Sequence, residues 1–368
     1  MAIGTFLLIA FSIAVVIQLI FMILFMLAFS RYRPPSNTPA EPVSVLVCAQ
    51  NQEENLKKLI PALLDQSHPE FEVIIVNDRS HDGTYELLDG KSRENPKVKA
   101  VHIDRKPDHV DGKKYAVTLG VKAAGFENIV LTDADCVPFS NMWLTKMAGA
   151  FNKDTEIVLG YSGYEKQKGF LNYFIRFETL WTAIQYLGLA LSGFPYMGVG
   201  RNLAWAKGLF MNAKGFNGYQ QVTGGDDDLF VNRHARAGNT AVVLGSEAMT
   251  VSQPKTSWQA FFRQKLRHLS VGKHYSMRSR AILSIFSISH ILSWLLPVAL
   301  LLLGIDPYLV IGLILIRTLV VYLTLIIACK KSGEKFELWG LLILDCIFVL
   351  YYSLAGISAL FTKKVKWI

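Results

Sequence analysis

The chain has few cysteines, little charge in its apolar stretches, and no basic run interleaved with aromatic residues. Its four cysteines, Cys48, Cys136, Cys329 and Cys346, are scattered and form no C-x-x-C pair. They build neither a zinc framework nor a disulfide scaffold, so reduced thiols are expected. Lys and Arg outnumber Asp and Glu by 38 to 29, for a formal charge of +9. Without a basic–aromatic run or a nucleic-acid-binding signature, that excess does not point to a nucleic-acid partner. Of the 368 residues 51% are hydrophobic and only 18% are charged. This balance is high for a purely soluble chain and assigns the positive excess to a membrane surface.

Residues 3–29 contain no charge at all, a run long enough to cross a hydrocarbon core as a helix. A cleaved leader fits poorly, because no Lys or Arg precedes the run and the run is too long. "RYRPP" follows it, which predicts an outside N-terminus and a cytoplasmic domain next, in an inner or plasma membrane. Pro34, Pro35 and Pro39 predict an extended linker over 31–42. Three further spans are expected within 281–368, the second ended by "KKSGEK". Four spans would return the C-terminus to the outside, whereas the tail "TKKVKWI" favours the inside; both topologies stay open. Arg317 and Asp345 fall within these spans, and each is costly alone in lipid. They are expected to pair. Residues 170–192, aromatic-rich but interrupted by Arg176 and Glu178, suit an interfacial helix.

Between 43 and 260 the pattern alternates. "VSVLVCA", "FEVIIVND", "VKAVHID" and "NIVLTDAD" read as strands, and the segments after the first three carry helical spacing. Such alternation predicts an α/β domain with a mostly parallel sheet. Ligands on these sheets sit at the carboxyl ends of strands. Asn51, Asp78, Asp133 and Asp135 fall at those ends. Acid is concentrated at "LTDADCVP" (131–138) and at "GGDDDLF" (224–230). Taken alone, either could be a solvated loop.

Seven stretches, "VSVLVCAQNQEENL", "EVIIVNDRSHDGT", "GKKYAVTLGVKAAG", "LTDADC", "GVGRNLAW", "GGDDDL" and "RQKLRH", occur in that order over about 43–268. Together they resemble a membrane-bound inverting glycosyltransferase of family 2 with the GT-A nucleotide-sugar-binding fold. The resemblance implies a nucleotide-sugar donor, UDP- or GDP-linked, and Mg²⁺ or Mn²⁺ as cofactor. It implies Asp135 as the closer metal ligand, with Asp133 facing both metal and donor. Asp78 would read the base, with Asn51 beside it. Lys113 would approach the diphosphate, leaving Lys114 as a solvated charge. Arg201 and Asn202 would border the donor sugar. Gln264 and Arg267, in a Q-x-x-R-H variant of the usual Q-x-x-R-W within an interfacial segment 261–280, would meet the leaving diphosphate. Asp226 would be the catalytic base, with Asp227 as the alternative and Asp228 capping or bracing the following helix.

The likeness to ceramide and carotenoid glycosyltransferases implies a lipid acceptor. The likeness to hyaluronan-type synthases implies a growing glycan. Gln52, Asn77, Gly225 and His268 depart from the family pattern and keep open a third reading, an inactive nucleotide-sugar-binding homologue.

Overall fold

The structure, a computed structural model, describes residues 2–35 and 41–361. Pro39 and the tail "TKKVKWI" lie outside the described residues. Strands β1 (Val43–Ala49), β2 (Phe71–Asp78), β3 (Val98–Ile103) and β4 (Asn128–Asp133) stand where the apolar runs predict them. Helices α2 (Glu53–Leu64), α3 (Thr84–Glu94) and α4 (Gly112–Ala123) connect them. β2 is buried along its whole length and β1 nearly so, as strands covered on both faces require. Beyond β4 come β5 (Cys136–Pro138), the short helix α5 (Trp143–Ala148), β6 (Ile157–Gly160) and β7 (Ser162–Tyr164). Helix α6 (Phe170–Leu191) leads to β8 (Leu203–Ala206), α7 (Lys207–Asn212), α8 (Asp228–His234), β9 (Thr240–Val243) and β10 (Thr250–Ser252). The main sheet has the order β3-β2-β1-β4-β8-β6-β9, and β5-β10-β7 form a small second sheet. Within the main sheet only the pairings of β8 with β4 and with β6 are antiparallel.

Among the described residues four helices are long and apolar enough to cross a membrane: Ala2–Arg31, Met277–Leu302, Pro307–Ser332 and Leu338–Ala359. They correspond to α1 (Ala2–Arg31), α10 (Met277–Leu302), α11 (Pro307–Ser332) and α12 (Leu341–Phe361), with α9 (Trp258–Val271) before the last three. The segment expected over 261–280 is therefore α9, a 3₁₀ turn at Gly272–His274 and the start of α10. α1 buries Phe11, Val15, Gln18, Met22, Phe25 and Phe29, a stripe at three- and four-residue spacing. Its Gln18 donates to Ser289 Oγ at 2.8 Å and to the Phe286 carbonyl at 2.9 Å on α10. Arg317 and Asp345 do pair. Asp345 also accepts from His290 Nε2 at 2.7 Å and Trp294 Nε1 at 3.0 Å, so one carboxylate ties three membrane helices together.

Helix α6 differs from expectation. It does not lay its charges open on a bilayer surface: Arg176 and Glu178 are 5% and 1% exposed. The helix lies between the sheet and the membrane helices, touching β7, β9, α1 and α12. Its charges are buried because each meets a partner. Arg176 binds Glu337 at 2.9 Å and Glu334 at 3.4 Å in the loop after α11, and Glu178 binds Lys265 of α9 at 2.5 Å. Gly188 lets α1 approach α6, since a Cβ there would stand 2.7 Å from the ring of Phe25.

Candidate active site

The C-terminal ends of β1 and β2 and the start of α4 enclose a cleft of 450 Å³, whose lining includes Asp78, Arg79, Lys106, Asp111 and Lys113. Asp78 ends β2 and is gripped by Arg79, with Nε to Oδ1 at 2.7 Å. α4 begins close beside it: a Cβ on Gly112 would lie 2.9 Å from Asp78 Oδ2. Asp111 N-caps α4 by accepting from the Lys114 amide. Asn51 stands outside this lining. It adopts φ 55° after β1, and its Oδ1 accepts from the His81 amide at 2.8 Å, tying the loops that follow β1 and β2.

Lys113 joins the two acidic motifs. Its Nζ lies 2.9 Å from Asp133 Oδ1 and 3.2 Å from Asp226 Oδ2. Burial opposes its charge, but the two carboxylates raise it well above the ordinary lysine range, so it stays cationic. Against its own burial, Asp133 is held below the usual carboxylate range by Lys113.

Lys114 is not a solvated charge. It is fully buried and donates to the carbonyls of Val222 and Gly224, in the loop that delivers Asp226. Burial lowers its pKa. This role has no cue in the sequence, because adjacent lysines look alike until the turn of α4 sends Lys113 to Asp133 and Asp226 and Lys114 to the Val222 and Gly224 carbonyls.

Asp133, Asp135 and Cys136 place ligand atoms within 4.8 Å of one another. Cys136 was not anticipated there. Its thiol meets Ser252 Oγ at 2.7 Å and Asp135 Oδ1 at 3.4 Å. Burial, then the charges of Asp135 and Asp133, raise it well above the ordinary thiol range. The thiol already meets Ser252, and the two carboxylates offer the oxygen ligands that a hard divalent cation such as Mg²⁺ or Mn²⁺ prefers.

The second acidic cluster divides by contact. Asp227 is the N-cap of α8, and its oxygens accept from the amides of Gly200 and Asp228, both at 2.7 Å. Asp228 accepts from the Leu229 amide and from Tyr275 Oη at 2.7 Å. Asp227, the alternative base, caps α8, and Asp228 braces it. Both are raised chiefly by burial, Asp227 then by the charge of Asp226 and Asp228 by that of Asp227, Asp228 well above the carboxylate range. Gly225, which replaces the family's acidic residue, has φ 76°, and a Cβ there would stand 2.6 Å from Leu229. The backbone route, not chemistry, selects glycine at this position.

Arg201 stacks over Tyr164, 4.5 Å from the ring centroid, and its guanidinium reaches Ser252 Oγ at 3.3 Å. Tyr164 Oη accepts from Gln264 Nε2 at 3.3 Å, so α9 is joined to Arg201 through one tyrosine. The charge of Arg267 acts on Asp133. Asn202 does not border the cleft. It is fully buried, accepting from Trp143 Nε1 at 2.9 Å and donating to the carbonyls of Tyr161 at 2.7 Å and Ala248 at 2.8 Å. It builds scaffold because all its amide atoms are engaged by the surrounding chain.

A mostly parallel sheet with acid at its strand ends, followed by an acid-led helix, defines a GT-A domain. The chain carries the Glycosyl transferase family 2 domain, whose family model matches residues 44–218. The chain is 27% identical over 137 residues to glycosyltransferase GlyG of Streptococcus pneumoniae serotype 4, covering 37% of this chain and 44% of that protein. It is 33% identical over 98 residues to a poly-beta-1,6-N-acetyl-D-glucosamine synthase of Staphylococcus epidermidis, covering 26% and 22%. The chain therefore spans less than half of either curated relative. In fold it matches a mannosyltransferase, PcManGT from Pyrobaculum calidifontis, solved with GDP-Man and Mn²⁺. That match covers 99% of both chains, with a TM-score of 0.60 and 16% identity.

Proposed function

We propose that the chain is a membrane-bound inverting glycosyltransferase that moves a sugar from a UDP- or GDP-sugar to a lipid or other membrane-associated acceptor. The observation that carries this reading is the bridge from Asp133 through Lys113 to Asp226 at the edge of the 450 Å³ cleft. It unites a donor-binding carboxylate, a cation for the diphosphate and an acidic base in one place. Asp78 and Arg79 are suited to the nucleotide. Asp133 and Asp135 would hold Mg²⁺ or Mn²⁺, which neutralises the leaving diphosphate when bound. Lys113 and Arg267 add fixed positive charge on the same side. Asp226 takes the acceptor hydroxyl's proton as that oxygen attacks the sugar carbon opposite the diphosphate. The helices α1 and α10 to α12 keep the reaction at a bilayer, and "RYRPP" supports a cytoplasmic catalytic domain.

The similarity to the poly-N-acetylglucosamine synthase favours a second reading, a processive synthase. Membranes containing the chain, incubated with a panel of labelled UDP- and GDP-sugars, separate the readings. One lipid-soluble product supports single transfer, and a ladder supports polymerisation. No transfer and no metal-dependent donor hydrolysis from any donor would leave the inactive homologue.

A further inference from the structure

A second cavity, of 310 Å³, lies at the far end of α8 from Asp226. It is walled by Leu189 near the end of α6, by Arg236 just beyond α8, and by Arg278, Ser279, Ile282 and Leu283 on the first turns of α10. No residue placed at the transfer site lines it. Its walls are cross-braced before any ligand arrives. Asn232 of α8 donates to the Tyr196 carbonyl at 2.8 Å and to Ser279 Oγ at 3.1 Å, and accepts from the Ser276 amide at 2.8 Å.

The chemistry of the cavity changes along α10. Arg236 and Arg278 are exposed. Among the described residues neither guanidinium meets a carboxylate; Arg278 instead lies over Phe194, 4.5 Å from the ring centroid. One turn deeper, Ile282 and Leu283 belong to a helix apolar enough to cross a bilayer. The cavity therefore sets cations where a membrane helix begins and apolar side chains where it enters the hydrocarbon. A free anion would use only the first feature and an uncharged lipid only the second. We propose that this cavity binds an anionic phospholipid, its phosphate engaged by Arg236 and Arg278 and an acyl chain lying along Ile282, Leu283 and Leu189. Guanidinium groups recognise phosphate oxygens in bidentate fashion, and basic clefts at membrane-helix ends select anionic headgroups. The net charge of +9 draws such lipids to the same surface.

The full chain, purified in detergent and equilibrated with mixed phosphatidylglycerol and phosphatidylcholine, tests this by mass spectrometry of the retained lipid. Wild type is expected to prefer phosphatidylglycerol by about tenfold or more, and Arg236→Gln with Arg278→Gln is expected to abolish that preference. Both arginines are exposed, so the variant should unfold at the wild-type temperature, which the same sample verifies. Arg280→Gln, a neighbouring exposed arginine outside the lining, is expected to retain the preference. An unchanged preference in the double variant, or an equal loss in Arg280→Gln, overturns the proposal. Displacement of the lipid by an equal concentration of inorganic phosphate overturns the lipid assignment in favour of a free anion.

Discussion

Asp226 and Asp227 are neighbours in sequence, but their oxygens have different partners. Asp227 is engaged by two backbone amides, whereas Asp226 faces the Lys113 ammonium. Asp226→Asn is expected to lower the transfer rate by about 100-fold or more while leaving the unfolding temperature near wild type. Asp227→Ala is expected to remove a helix cap and cost about 1 kcal/mol of stability. Assaying rate and thermal unfolding on both variants checks the division; an active Asp226→Asn would transfer the base to another residue. The metal site makes a parallel prediction. Cys136 meets Ser252 Oγ and a hard cation prefers carboxylate oxygen, so Cys136→Ser should keep the divalent-cation dependence of transfer, and Asp135→Asn should lose it. Titrating Mg²⁺ or Mn²⁺ into chelator-treated enzyme measures both.

At the scale of elements, α6 shows how charge is carried through an apolar interior. Read alone, Arg176 and Glu178 disqualify residues 170–192 from burial. They are buried because Glu334, Glu337 and Lys265 arrive from segments more than eighty residues away. Removing one partner of a buried pair leaves the other uncompensated, at a cost of about 3–5 kcal/mol. Arg176→Met is therefore expected to lower the unfolding temperature in detergent sharply, and Glu337→Gln less, because Glu337 is part-exposed and Glu334 still faces Arg176. Equal small effects would mean that these ion pairs do not hold α6 in place. The loop between α11 and α12 reaches the sheet as well: Tyr161 Oη donates to Glu334 at 2.8 Å. That contact links the membrane helices to the end of β6, beside the site.

For the whole molecule, the buried acids set a direction of pH dependence. Asp228 titrates well above the usual carboxylate value in the folded chain, chiefly through burial. Its contribution to stability is complete below the unfolded value of 3.8 and declines as pH rises through the raised folded value. Asp228→Asn should therefore flatten the fall in unfolding temperature as pH rises above 3.8, and an unchanged slope would refute this linkage.

The first four strands, the helices that connect them and the four spans were legible because each is written in local periodicity; β5 to β10, three or four residues each, are too short to carry a period. The acidic motifs were legible because they end such elements. The roles of Lys114, Asn202 and Cys136 were not, since each depends on a side chain's facing, and facing is fixed by chain that returns from a distance. The pairing of Arg317 with Asp345 was legible from the cost of lone charge in lipid, whereas His290 and Trp294, which share that carboxylate, were not. Sequence alone thus determined the first four strands, the helices between them, the spans, and the chemistry placed at their ends. Only the tertiary structure decided which of three adjacent aspartates caps, braces or faces Lys113, because that choice rests on contacts between segments far apart in the chain.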